Sequence, residues 1–324
     1  MKRKDSLARK AMKLLCTLLG ILLVVLLSGT LVFRHFLSQI QYTDPQPVGQ
    51  RNVADILCAI PLHTSDSTQI GGPGSGLLNI LLIGQDAREG ESQARSDSMI
   101  LCTYHKQNGT LTMTSFLRDL YVPIPGHGSN RINAAYSLGG ASLLKKTLDH
   151  NFHLYIDGTV EVDFTHFAEI IDHMGGVEID LRQDEADVIN QQTGSSIGAG
   201  IQRLDGLQAL TYARIRSLDR DGDFSRTNRQ RKVISTLLDS FRDMKITELT
   251  PVLKEILPMI RTDLNQGKIL LTALEILPRM SELELRSQRI PADGTFTDKN
   301  INGMWILAAD MAAQQKYLRN TLME

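Results

Sequence analysis

The 324-residue chain has only three cysteines, Cys16, Cys58 and Cys102. Two of them lie outside the apolar N-terminal run, so a Cys58–Cys102 bridge is chemically open in an oxidising compartment, but a disulfide framework is excluded. Surplus positive charge is also missing, the formal net charge being −1. Broad nucleic-acid binding draws on such a surplus and is disfavoured. Internal repeats, low-complexity tracts and a nucleophile elbow with a paired histidine are absent as well. His166 and His173 fall on one side of an expected helix with no third ligand nearby, which speaks against zinc. Asp219, Asp221 and Asp223 alternate as in a calcium loop, but Phe224 stands where the loop needs glycine and Gln230 where it needs glutamate.

What the sequence does contain begins with an uncharged apolar run from Leu14 to Phe33. Its length suits a bilayer-spanning helix, expected over residues 14–36 behind a tail of residues 1–13. Lys2, Arg3, Lys4, Arg9, Lys10 and Lys13 precede the run against the single acid Asp5, so the N-terminus is expected in the cytoplasm and the rest outside. A cleaved signal peptide needs a shorter apolar region and a small-residue cleavage site, which "LSGTLVFRHFLSQ" supplies poorly; an uncleaved anchor fits better. The chain thus reads as a single-pass protein of the cell membrane. Residues 37–76 hold Pro45, Pro47, Pro61 and "GGPGSG" and read as an extracellular stalk, with a short helix at "RNVADILCAI".

From Leu77 onward the texture is that of an α/β domain, residues 77–324. "LLNILLIG", "SDSMILCTYH" and "GTLTMTSFL" are runs of strand length, the last two joined as a hairpin by "KQNG". "NAAYSLGGASLLKKTLDHNF" has helical spacing, and "GTVEVDF" and "GGVEIDL" alternate as strands around the helical "THFAEIIDHM". "TYARIR" reads as a strand, "QRKVISTLLDSFRDM", "ITELTPVLKEILPMI" and "NGMWILAADMAAQQKYLRNTL" as helices, and "LELRSQRIPA" as a strand returning to the sheet. Helices covering a sheet follow from this order.

Candidate chemistry gathers at strand ends. Asp86 follows one strand, and Arg95 and Asp97 precede the next, so the three can meet at one sheet edge. Asp86 and Asp97 are a carboxylate pair of the kind that holds Mg²⁺ together with phosphate oxygens; turn and cap roles explain the spacing equally well. Arg118 is either an anion clamp or the ion-pair partner of Asp119. The stretch "ARIRSLDRDGDFSRTNRQR" packs six arginines and three aspartates into Ala213–Arg231. Read as a strand, "TYARIR" sets Arg214 and Arg216 on one face with Tyr212, where the two guanidinium groups repel unless solvent or an anion intervenes. Arg226, Arg229 and Gln230 follow at a helix start, whose free N–H groups favour anions, and planar guanidinium forks suit pyrophosphate.

Seven segments taken in order resemble the LytR-CpsA-Psr (LCP) family of bacterial cell-envelope proteins. They are "NILLIGQDAR", "RSDSMIL", "SFLRDLYVPIPG", "RINAAYSLGG", "VDFTHFAEIIDHMGGVEID", "LDGLQALTYARIR" and "DGDFSRTNRQRKV". The resemblance implies a mixed central β-sheet flanked by helices, with an apolar pocket for a lipid tail. It implies a Mg²⁺-dependent phosphotransferase that moves an anionic glycopolymer, such as teichoic acid or capsule, from a polyprenyl-pyrophosphate carrier to a muramic acid 6-hydroxyl of peptidoglycan. Asp86 and Asp97 take the family's acidic, metal-associated role, and Arg95, Arg118, Arg214 and Arg216 its pyrophosphate-binding role. Arg226 and Gln230 match further positions lining that site. Gln85 departs from the family pattern, where a small hydroxyl residue often precedes the aspartate, and Arg131 stands where lysine is frequent. Two alternatives stay open, a hydrolase with water as acceptor and a non-catalytic envelope regulator that binds lipid-linked intermediates.

Overall fold

The computed structural model describes residues 37–43, 69–86, 95–216, 218–219 and 222–323. Residues up to Ile40 form one unit, of which only the turn Leu37–Ile40 is described, and Gln41 to Glu324 form a second. The apolar run Leu14–Phe33, the helix expected around "RNVADILCAI" and Cys58 lie outside the described residues. Among those described, no helix is long and apolar enough to cross a membrane. Cys102 is a free thiol that burial pushes up to a pKa of about 12.

The centre is a seven-stranded mixed sheet. Its early strands are β1 (Gln41–Tyr42), β2 (Leu77–Asp86), β3 (Arg95–His105) and β4 (Thr110–Phe116). A small hairpin, β5 (Tyr121–Ile124) with β6 (Gly128–Arg131), leads into α1 (Asn133–Phe152). Then come β7 (Gly158–Asp163), α2 (Phe164–His173), β8 (Val177–Leu181), α3 (Gln183–Thr193), β9 (Gly200–Leu204), α4 (Gly206–Arg214) and α5 (Asp223–Asp243). The chain ends with α6 (Ile246–Ile256), β10 (Arg261–Thr262), α7 (Gln266–Ile276), β11 (Glu284–Ile290), β12 (Phe296–Ile301), β13 (Met304–Ala309) and α8 (Met311–Met323). Sheet order is β1-β10-β7-β2-β3-β4-β11, with β7 parallel to β2 and β11 parallel to β4.

Alternation along β2 divides the interior in two, because successive side chains point to opposite faces. Leu81 and Ile83 join the core beneath α1 and α8, whereas Leu82 and Gly84 face the helices α2, α4, α5 and α6. The expected hairpin of the second and third strands forms as β3 and β4, and "LELRSQRIPA" supplies β11. "GGVEIDL" is a strand too, but it pairs with β9 in a separate two-stranded sheet.

Three readings of the sequence change. "TYARIR" is not a strand: α4 runs to Arg214, and the chain extends only from Ile215, at ψ 128°. Asp205 and Gln208 cap this helix reciprocally, and Gly206, Ala209 and Ala213 recur on its buried side, so cap and packing override the strand preference of Thr211 and Tyr212. Gly206 is needed for that packing, since a Cβ there would lie 2.1 Å from the carbonyl oxygen of Ala168 in α2. The C-terminal segment expected as one helix begins as β13, because Asn302 and Gly303 both take positive φ and close a hairpin with β12. Finally, part of the expected stalk belongs to the domain: β1 pairs with β10, and buried Ile70 bridges to Leu154.

Candidate active site

The site stands where β2 and β4 end and β3 begins. Gly84 pairs with Ser98 and Gln85 with Ser96, which leaves Asp97 as the extra residue of a bulge in β3. A bulge bends the strand and re-aims its surplus side chain, and here the carboxylate reaches Arg118 just beyond β4, with Arg118 Nη1 at 3.2 Å from Asp97 Oδ1. Arg118 Nε donates at 3.1 Å to Asp223 Oδ2, in the first turn of α5. Arg216, freed by the end of α4, approaches Asp97 at 3.9 Å and Asp223 at 3.6 Å. Arg226, one turn along α5, is 2% exposed and donates to Asp223 and to the Asp97 carbonyl at 3.1 and 3.3 Å.

These charges shift one another. Burial pulls the Arg118 guanidinium down, but Asp223, Asp119 and Asp97 together outweigh it and hold its pKa above the ordinary value. Burial pushes the Asp223 carboxyl up, with Arg118 and Arg216 pulling it partway back. Arg226 Nε has no hydrogen-bond partner among the described residues, although it is buried. A buried cationic donor left without an acceptor is costly, and an anion entering the cleft would relieve it.

Arg214, at the end of α4, lies with its guanidinium 4.7 Å from the centre of the Phe164 ring. One turn beyond Arg226 on α5, Gln230 accepts from Ser98 Oγ at 3.2 Å. Asp97, Arg118, Arg214, Arg216, Arg226 and Gln230 thus line a single cleft of about 600 Å³. Phe164, Leu210, Arg214 and Gln230 also belong to the wall of an apolar channel of about 380 Å³. Leu82 and Val160 of the sheet, Ile170 of α2 and Ile234, Leu237 and Phe241 of α5 line that channel.

Asp86 and Arg95 are opposed as Cα partners across β2 and β3, and their side chains lie outside what the structure describes. Asp223 is the residue that sequence reasoning missed: it belongs to the cleft and is not a turn acid that only balances nearby arginines. Asp219 does have that role, pairing with Arg229 and, at 3.0 Å, with Arg182. The signal was available in the spacing: Asp223 precedes Arg226 by one short turn, so both enter the same face of α5. Arg229 turns away to bond buried Glu185 at 2.8 Å and is structural. Gln85 is also turned away, donating at 2.9 Å to buried Glu161, which accepts from Tyr136 as well. Arg131 joins the site's rim through Asp119, at 3.0 Å.

Among the described residues no cluster of three or more His, Cys, Asp or Glu could hold a metal ion unaided. Mg²⁺ usually takes one or two carboxylates and completes its shell with phosphate oxygens and water. Asp97 on the cleft wall suits such a shared shell.

The fold and cleft define an α/β protein in which a cleft lined by arginines adjoins an apolar channel. The chain belongs to the LytR_cpsA_psr family, whose sequence pattern matches residues 62–321. It is 35% identical over 239 residues to the regulatory protein MsrR of Staphylococcus aureus, covering 72% of this chain and 71% of that one. It is 31% identical to the polyisoprenyl-teichoic acid–peptidoglycan teichoic acid transferase TagU of Bacillus anthracis, covering 74% and 76% of the two chains. Among solved structures, TagT with bound octaprenyl pyrophosphate lipid superposes with a TM-score of 0.60 at 26% identity, over 79% of this chain and 95% of the other.

Proposed function

We propose that the protein transfers an anionic glycopolymer from a polyprenyl-pyrophosphate carrier to peptidoglycan, forming a phosphodiester at a muramic acid 6-hydroxyl. The observation that carries this reading is the shared wall of Phe164, Leu210, Arg214 and Gln230 between the charged cleft and the apolar channel. An amphiphile with a diphosphate head and a long hydrocarbon tail is the ligand that needs both. TagT and TagU are named as transferases of teichoic acid, and TagT is seen with a polyprenyl pyrophosphate, which supports the same chemistry here. In keeping with the charge bias of its N-terminus, the chain is placed in the cell membrane with its cleft outside.

Arg118, Arg214, Arg216 and Arg226 grip the pyrophosphate and neutralise the charge that develops on its oxygens, and the side chain of Arg95 is assigned to the same task. The acceptor oxygen attacks the sugar-linked phosphorus, the bridging P–O bond breaks, and polyprenyl phosphate leaves. Asp97 or Asp86 takes the acceptor's proton, directly or through a water. Asp86 and Asp97 would hold Mg²⁺, which would supply further charge neutralisation. Positioning and electrostatics dominate, as phosphoryl transfer requires little covalent work from the protein.

The test is transfer of a lipid-linked glycan to peptidoglycan by the full-length protein. Loss of transfer in Arg118→Ala and Arg216→Ala, with folding intact, supports the reading; near-normal transfer in both overturns it. Product analysis without peptidoglycan separates a hydrolase, and tight donor binding with no turnover, with or without Mg²⁺, separates a regulator of the kind the name MsrR describes.

A further inference from the structure

The chain's single tryptophan, Trp305, is 68% exposed, on the outer part of the hairpin formed by β12 and β13. The indole thus offers a large, flat and mostly uncovered ring, with one N–H donor, on an ordered strand. Its strand is joined to the cleft. Leu307, two residues on, donates its N–H to the Asp119 carbonyl at 2.9 Å, and Leu120 and Leu307 form a bridge. Asp119 in turn pairs with Arg118 and Arg131. Two residues of strand span about 7 Å, so Trp305 lies about that far along β13 from the residue that bonds Asp119.

The neighbours on this face are polar but not basic. Cross-strand partners share a face, which sets exposed Asn300 opposite Trp305 and exposed Asp298 opposite Leu307. Lys299 is opposite buried Ile306 and belongs to the other face. An anionic bilayer surface would call for cations beside the indole, and the anionic donor is served by the arginines of the cleft. A flat aromatic ring flanked by an amide and a carboxylate suits a pyranose: the C–H face of the sugar lies on the π-face, and Asn and Asp meet its hydroxyls.

We infer that the Trp305 face of the β12–β13 hairpin is the docking surface for the glycan of the acceptor, holding uncharged pyranose rings beside the Arg118 edge of the cleft. This rests on the transferase reading above and extends it to the acceptor. Because Trp305 is the only tryptophan, its fluorescence reports this contact without a label.

The experiment titrates the full-length protein with soluble, β-linked peptidoglycan glycan chains while following tryptophan emission, and separately measures transfer kinetics. A saturable emission change is expected, together with an acceptor KM raised about tenfold in Trp305→Ala, the scale of one lost stacking contact, and partly restored in Trp305→Tyr. Donor affinity and circular dichroism should stay as in the unaltered protein. Unchanged emission with glycan and an unchanged acceptor KM in Trp305→Ala, while transfer itself proceeds, overturn the inference alone. An emission change on adding vesicles or on raising protein concentration, but not on adding glycan, overturns it in favour of a bilayer or a second copy. Absence of all transfer, with the glycan-dependent emission change present, removes the transferase reading and leaves the glycan surface standing.

Discussion

Arg214 rests its guanidinium 4.7 Å from the centre of the Phe164 ring, and this pair forms the seam where the charged cleft meets the apolar channel. The ring fixes a cation that would otherwise be a mobile side chain at a helix end. Phe164→Ala should therefore weaken binding of a polyprenyl pyrophosphate by about tenfold, within the range of a partly desolvated cation–π contact. Phe164→Tyr should bind close to normally. Calorimetry on the full-length protein checks both.

Removing Arg118 should cost more. It meets Asp97, Asp119 and Asp223, and its loss deprives the pyrophosphate of a charged donor where charge grows during transfer. Transfer by Arg118→Ala should fall by at least about 100-fold, with Arg118→Lys recovering only part, since a point charge does not replace a planar fork. Rate measurements at saturating donor, with thermal melts as a control for folding, test this.

Asp223 gives a pH dependence with a definite sign. Burial raises its carboxyl above the ordinary range, so the folded protein takes up this proton at a higher pH than the unfolded chain. Its ionised form is the costly one, and its contribution to stability falls as pH rises from the unfolded to the folded pKa. Acidification through that window neutralises Asp223 and leaves Arg118 and Arg216 with less counter-charge. Pyrophosphate affinity should rise as pH is lowered into this window, and Asp223→Asn should bind more tightly at neutral pH with a flatter profile. An unaltered profile in Asp223→Asn would show that this carboxylate does not set the charge of the cleft.

Gly206→Ala should damage the scaffold and the site together. The added Cβ meets the Ala168 carbonyl and Asp172, so α2 and α4 must part. A loss of about 1–3 kcal/mol is expected, in the range of overpacked interiors. Donor binding should weaken as well, because Arg214 closes the far end of α4. Denaturant melts and calorimetry on one preparation distinguish the two effects.

Much of the sheet was legible in the sequence because β2, β3 and β4 are apolar runs of strand length and β7 alternates, which leaves few alternatives. The ends of elements were not. Thr211 and Tyr212 favour a strand locally, and only the Asp205–Gln208 cap and the contact of Gly206 with α2 make that segment helical. At Asn302–Gly303 a two-residue turn signal was present and was outweighed by the apolar stretch that follows it. In the cleft, arginines were readable by type and spacing, whereas Asp223 emerged only when the bulge, the loop after β4 and the start of α5 were brought to one point. Tertiary contacts between distant segments have no signature in any one of them.

Asp97 occupies an unusual position in the β2–β3 ladder. With Gly84 opposite Ser98 and Gln85 opposite Ser96, the pairing on either side would close up unchanged if Asp97 were absent. A chain one residue shorter would make an equally regular sheet, so hydrogen bonding between the strands gives no reason to keep it. Asp97 is in this sense a passenger in the sheet, and what retains it is the cleft.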